Sequence, residues 1–232
     1  PCSEILTGTA GDGKTYHCRE AWLALGGSDA DWNTGRKVQR MALGQRELVV
    51  VKDLSELRAD ESAELLEKMA TDVAMPDPER VYLIAANHGQ LLEKLKAAPS
   101  SPELKTMIET VEELLVTGTN PNAAVRLNVR DLSQAPASLM LASVINAMMS
   151  HAGWDQCGAC SSQAAGATCP ILENRSRLQS AADDGTLRRR LTALIELSEQ
   201  NGVHFPVRQL LALVTNMLLG HPNAADGLMS CN

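Results

Sequence analysis

The sequence predicts an α/β fold: a parallel sheet layered between helices, followed by an all-helical segment. Three observations predict it. Short apolar runs alternate with helix-length stretches over residues 1–135. One of those runs, Leu48-Val49-Val50-Val51, is continuously apolar, as a strand buried on both faces must be. From Ala137 onward the strand-length runs stop and apolar residues recur at helical spacing.

The candidate strands are Glu4–Thr7, Glu47–Lys52, Arg80–Ala86 and Ala124–Asn128, with a fainter alternation at Val38–Leu43. Helical spacing fills the gaps at Tyr16–Leu25, Asp60–Met75, Leu91–Ala97 and Glu103–Val116. The last puts Leu104, Met107, Ile108, Val111, Leu114 and Leu115 on one side. Pro76-Asp77-Pro78, Pro99-Ser100-Ser101-Pro102 and Asn120-Pro121-Asn122 punctuate these stretches as loops. Helices then follow at Ala137–Ser150, Thr186–Glu199 and Pro206–Leu219. Gly202 and Gly220 stand where the last two should stop. The expected division is an α/β domain at 1–135 and a helical subdomain at 136–232, the latter carrying a Cys-rich insert at 151–170.

At 232 residues the chain is long enough for one full core and a small appendage. Aromatics make up only 3%, so that core must be built from Leu, Ala, Val, Ile and Met. A net charge of −7 argues against a generally basic nucleic-acid surface, though not against a local patch. No apolar run reaches the ~18 residues of a membrane-spanning helix. The chain opens on Pro1-Cys2 and enters a strand almost at once, as expected of a piece excised from a longer protein.

Residues 5–15 read Ile-Leu-Thr-Gly-Thr-Ala-Gly-Asp-Gly-Lys-Thr. Gly8, Gly13, Lys14 and Thr15 fill the pattern G-x-x-x-x-G-K-[ST], the phosphate-binding loop of P-loop NTPases. The spacing has a chemical reason. A nucleotide's β- and γ-phosphates concentrate negative charge in a small volume. Glycines at 8, 11 and 13 let the backbone curl its N–H groups toward those oxygens. Lys14 would set an ammonium on the phosphates, and the Thr15 hydroxyl would ligate Mg²⁺. A helix opening near Thr15 would add its positive end. Strand, loop and helix come in the required order. The nucleotide-binding residues are therefore Gly8, Thr9, Ala10, Gly11, Asp12, Gly13, Lys14, Thr15 and Tyr16. The fold expected is a three-layer P-loop NTPase followed by a helical, lid-like subdomain.

Mg²⁺ needs a second acidic partner. Val49-Val50-Val51-Lys52-Asp53 is an apolar strand ending in a carboxylate, the Walker B pattern. Asp53 would then complete the Mg²⁺ site with Thr15. Glu56, three residues on, is the candidate to polarise the attacking water, although Leu54 stands where an acidic residue usually follows. Asp53-x-x-Glu56 also fits a helix cap with its capping-box partner. Asn87 ends the strand Val81–Ala86. There a neutral donor and acceptor suits contact with a γ-phosphate, as at the sensor 1 position of AAA+ ATPases, and equally suits a turn. His88 reads as a loop residue. Arg208 opens the last helix, where a sensor 2 arginine of an AAA+ lid, or a solvated arginine, would stand.

Cys157-Gly158-Ala159-Cys160 and Cys169-Pro170 lie in a Gly-rich segment too small to build its own core. A C-x₂-C knuckle presents two thiolates to one Zn²⁺. His151, Cys157, Cys160 and Cys169 would close a Cys₃His site; free or redox-paired thiols are the alternative.

The P-loop, Val-Val-Val-Lys-Asp-Leu-Ser-Glu, Ala-Ala-Asn-His-Gly-Gln-Leu and the Cys-x₂-Cys…Cys-Pro-Ile…Asn-Arg insert together resemble one branch of this superfamily. It is the ATPase subunit (DptF-like) of bacterial phosphorothioation-dependent DNA restriction systems. The resemblance runs over most of the chain. It implies a cytoplasmic antiviral ATPase of AAA+/STAND-like kind that uses ATP and Mg²⁺. Its implied partners are other restriction-complex subunits and DNA through the complex; self-association into a homo-oligomer is a separate expectation. Two other readings stay open: a nucleotide-gated signalling or scaffold domain with little turnover, and a small-molecule P-loop kinase. For the kinase, Arg188-Arg189-Arg190 would have to serve as the lid.

Overall fold

The computed structural model describes residues 2–98, 101–159, 169–179, 185–223 and 229. The chain divides into two compact units, Pro1–Gln134 and Ala135–Asn232.

The first unit is an α/β layer structure. Five strands form one sheet: β1 (Ser3–Thr7), β2 (Val38–Leu43), β3 (Arg46–Val51), β4 (Arg80–Ala85) and β5 (Leu127–Asp131), in the spatial order β2-β3-β4-β1-β5. β1 runs parallel to β4 and β5, and β3 runs parallel to β4. β2 is antiparallel to β3, so the sheet is mixed rather than wholly parallel as expected. The reason is the connection. Only Gly44 and Gln45 separate β2 from β3, and a parallel crossover needs a dozen residues or more. Gly44 takes φ 64°, the positive φ that tight hairpins demand.

Alternation along each strand feeds two cores. Val49 and Val51 of β3, with Ile5, Tyr82 and Ile84, face one layer. That layer is α3 (Ala59–Ala74), α4 (His88–Ala97) and α5 (Pro102–Thr117). Leu65, Leu66, Met69, Met107 and Val111 supply its buried side chains. Leu48 and Val50, with Leu6 and Ala85, face the other layer. There α1 (Lys14–Ala24) and the short α2 (Asp29–Trp32) bury Cys18, Trp22 and Trp32. At the end of the sheet where β4 begins, Asp72 is buried. It accepts hydrogen bonds from the Tyr82 hydroxyl at 2.6 Å and from Arg80 at 2.8 Å.

β5 begins three residues later than expected. Residues 120–126 are held as a turn by side chains. The Asn120 amide donates to the carbonyls of Val125 and Leu127, and its oxygen accepts from the Asn122 amide. The Arg126 N–H goes to the Val73 carbonyl instead of the sheet. Pairing therefore starts with Leu127 opposite Ser3 and ends with Asp131 opposite Thr7.

The second unit contains α6 (Ala137–Met149), α7 (Pro170–Gln179), α8 (Thr186–Gln200) and α9 (Val207–Leu219). Leu141, Ile145, Leu178, Ile195, Leu210 and Val214 form its buried core. α7 was not anticipated from the sequence. Ile171 and Leu178 dock it, and Arg175 donates to the Met149 carbonyl while lying 4.6 Å over the Trp154 ring. Among the described residues no helix is long and apolar enough to cross a membrane.

Candidate functional site

Because β1, β3, β4 and β5 run the same way, their carboxyl ends share one edge of the sheet. In open α/β sheets that edge is where ligands bind, outside the strand ends. Every sequence-predicted site residue of the first unit lies at it.

The loop after β1 turns on its three glycines. Gly8, Gly11 and Gly13 adopt φ of 143°, 101° and 86°. Gly8's φ is one that other residues rarely adopt, and a Cβ there would also meet Asp12 Oδ2 at 2.7 Å, displacing that carboxylate. The Asp12 carboxylate ties the curl together: it accepts from the Thr9 N–H at 2.5 Å and from the Thr9 hydroxyl at 3.1 Å. The Thr9 N–H is thus engaged within the protein, and the Asp12 N–H donates to the Thr9 carbonyl at 3.5 Å. Ala10 is exposed at the loop's crest and Gly11 half-buried.

Lys14 is buried at 8% exposure, unusual for a lysine. Its ammonium folds back to the loop carbonyls of Thr9, at 2.5 Å, and Gly8, at 3.3 Å. α1 opens at Lys14 on a left-handed Gly13, with no side-chain cap and no acidic residue in its first turn. The first intrahelical bond joins the His17 N–H to the Gly13 carbonyl, so the amides before it precede the helix ladder. Nothing anionic from α1 itself competes for that positive end. Tyr16 is exposed at 60%.

The Thr15 hydroxyl donates to the Lys52 carbonyl at 3.2 Å, beside Asp53. Asp53 follows β3 and caps the 3₁₀ turn Leu54–Glu56. Its Oδ1 accepts from the Ser55 N–H at 2.9 Å and from the Ser55 hydroxyl at 2.7 Å. The cap reading of Asp53 is thus realised on one oxygen. Glu56 is exposed in that turn, and its carbonyl accepts from the Lys37 ammonium. Lys52 is anchored the other way, donating to the Trp32 carbonyl with its ammonium 4.5 Å from that ring. Burial there lowers the Lys52 pKa, against the opposing pull of Glu56.

Asn87 precedes α4 at the N-cap position but makes no side-chain cap bond. Its amide nitrogen reaches Gln90 at 3.4 Å, while its Oδ1 is buried without a partner. Thr7 Oγ1, the last side chain of β1, is likewise buried and unpartnered. A buried polar atom left unsatisfied costs about 1–3 kcal/mol. Two of them at the edge that carries the phosphate-loop motif favour a ligand with donors or a metal shell. The residues present therefore fit a nucleotide with Mg²⁺: Lys14, the Thr15 hydroxyl, the loop amides, Asp53 and Asn87.

His88 opens α4 rather than lying in a loop. Its Nε2 is 3.4 Å from Asp131 Oδ2. Burial pushes the Asp131 carboxyl up, but hydrogen bonds from Gln134 and Ser133, together with His88, outweigh it and hold the pKa below its usual value. Asp131, His88 and Thr7 were not singled out from the sequence as site residues. The signal for Asp131 was present: Val125, Leu127 and Val129 alternate, and continuing that alternation carries the strand to Asp131.

In the second unit Arg208 is exposed in the first turn of α9. Arg188 is engaged with α6, donating to Asn146 Oδ1 at 2.8 Å. Cys160 lies outside the described residues. Cys157 and Cys169 are half-buried free thiols, and His151 Nδ1 accepts from the Gly153 N–H at 3.0 Å. Among the described residues no three His, Cys, Asp or Glu side chains are grouped to hold a metal ion. No protein family, curated protein or solved structure matches the chain.

Proposed function

We propose that this chain binds ATP with Mg²⁺ in its first unit and hydrolyses it. One observation carries the reading: the Gly8–Thr15 loop is curled by three positive-φ glycines around a buried lysine, at the carboxyl end of an interior strand. A glycine-rich turn of no function has no need to bury an ammonium. Lys14, the loop amides and the start of α1 would hold the β- and γ-phosphates. Thr15 and Asp53 would hold Mg²⁺, which supplies charge neutralisation on the phosphate oxygens. Asn87 would accept or donate at the terminal phosphate or at the water beside it. Glu56 is the candidate to orient that water.

The setting proposed is a bacterial DNA restriction or antiviral complex. It rests on the resemblance of the motifs, as do the partners: other subunits, and DNA through them. A module that binds ATP and turns it over slowly is the second reading. It is favoured by the cap that engages Asp53 and by the exposure of Glu56. The kinase reading is weaker, because Arg188 is engaged with Asn146.

The test is calorimetric titration with ATP and Mg²⁺, followed by phosphate release with and without a candidate acceptor. Release without acceptor supports a hydrolase. Binding without release supports the gated module, and transfer only to an acceptor supports a kinase. Absence of ATP binding by the folded protein would overturn all three.

A further inference from the structure

The order β4-β1-β5 places the strand that feeds the phosphate loop between the strand that leads to His88 and the strand that ends at Asp131. Thr7, the last residue of β1, is flanked on one side by the Ala86 backbone and on the other by Asp131. His88, two residues past Ala86, nevertheless approaches Asp131 at 3.4 Å. The contact therefore joins the chain just past β4 to the end of β5, the two strands on either side of β1.

Satisfying Asp131 does not require this bridge. Its Oδ1 already accepts from the Ser133 N–H at 2.9 Å and the Ser133 hydroxyl at 2.7 Å, and its Oδ2 accepts from Gln134 at 2.9 Å. Nor is the pair deeply buried: the His88 side chain is 38% exposed, a setting in which ion pairs add little stability. What the bridge does supply is geometry. It pins the first residue of α4 to β5, and the residue immediately before that pin is Asn87. An asparagine at a helix N-cap ordinarily spends its oxygen on an amide of the first turn. Asn87 does not, and its oxygen stays buried and unpartnered beside the loop edge.

We propose that His88 and Asp131 are positioning residues that clamp the tip of β4 across β1, holding Asn87 off its helix cap and in place for the nucleotide's terminal phosphate. This rests on the ATP reading above and deepens it. The clamp acts on recognition of the γ-phosphate and leaves the β-phosphate contacts of Lys14 and the loop amides alone. Its signature is selectivity for ATP over ADP.

The experiment measures equilibrium affinities of the intact chain for Mg·ADP and for a non-hydrolysable Mg·ATP analogue. In wild type the analogue should bind more tightly. His88→Ala, Asp131→Ala and Asn87→Ala should each reduce that preference by about tenfold, the worth of one hydrogen bond to a charged group, with ADP affinity nearly unchanged. His88→Ala combined with Asp131→Ala should lose no more than either alone, because the two act as one unit. His88→Gln, which keeps an N–H to offer Asp131, should restore most of the preference and guards against an unfolded alanine variant. Wild-type selectivity in both alanine variants, or losses that multiply in the double variant, would overturn the clamp while leaving nucleotide binding intact. Equal loss of ADP and analogue affinity in folded variants would overturn it too, as a general structural effect. Failure of wild type to bind either nucleotide would overturn the ATP reading itself, and the clamp with it.

Discussion

The Thr15 hydroxyl donates to the Lys52 carbonyl, 3.2 Å away and 37 residues along the chain. This bond ties the first turn of α1 to the end of β3. It sets Thr15, one proposed Mg²⁺ ligand, against the residue that precedes Asp53, the other.

Lys14→Ala removes the charge that would hold the β- and γ-phosphates. ATP affinity should fall by about tenfold or more, ~1.4 kcal/mol. Calorimetry that finds unchanged affinity in a folded variant would remove the basis of the nucleotide assignment.

Asp53 has two roles that separate by substitution. Asp53→Asn keeps an oxygen for the Ser55 amide, so the fold should survive while Mg²⁺-dependent turnover is lost. Asp53→Ala should in addition cost about 1 kcal/mol of stability, the typical worth of a cap. Full turnover in Asp53→Asn would move the metal role elsewhere. Glu56→Gln should trap bound ATP; phosphate release at the wild-type rate would reduce Glu56 to a residue of the turn.

Tyr82 donates to a buried carboxylate, and burial together with Asp72 raises its pKa far above the phenolic value. Tyr82→Phe leaves Asp72 with Arg80 alone. Urea unfolding should register a loss of about 1.5–3 kcal/mol, the range for hydrogen bonds to charged groups. A variant within error of wild type would show that Arg80 suffices.

Cys18 is fully buried on α1, and burial with Glu4 nearby pushes its pKa up to about 12. A thiol so rarely ionised near pH 8 should resist alkylation in the folded protein while exposed Cys2 reacts. Mass spectrometry of the alkylated chain reads this directly. Cys18 labelled as fast as Cys2 would mean that α1 opens readily from the sheet.

The layered sheet was legible because burial on both faces writes itself as an unbroken apolar run, as in Leu48–Val51. The phosphate loop was legible because its glycines and lysine have fixed spacing. β2 was faint because an edge strand alternates: its burial is mixed along Val38–Leu43, and the hairpin at Gly44-Gln45 that sets its direction is only two residues long. The His88–Asp131 pair was invisible for a different reason. It depends on β4 and β5 lying on either side of β1, a matter of strand order that local patterns do not encode. The three-residue shift of β5 hid it further, since the Asn120 and Asn122 side chains hold as a turn what reads as the start of a strand.

The interior place of β1 also has a kinetic consequence. β1 precedes its partners in synthesis, yet Glu4 pairs with Leu83 and Ser3 with Leu127. Pairings across such separations close slowly, because the intervening chain must first be gathered in. Until Asp131 has emerged from the ribosome, Ile5 and Leu6 have no complete sheet to enter. The lysine loop is therefore among the last parts of the first unit to take shape, and under the proposed function a growing chain would stay blind to nucleotide until nearly all of that unit has been made.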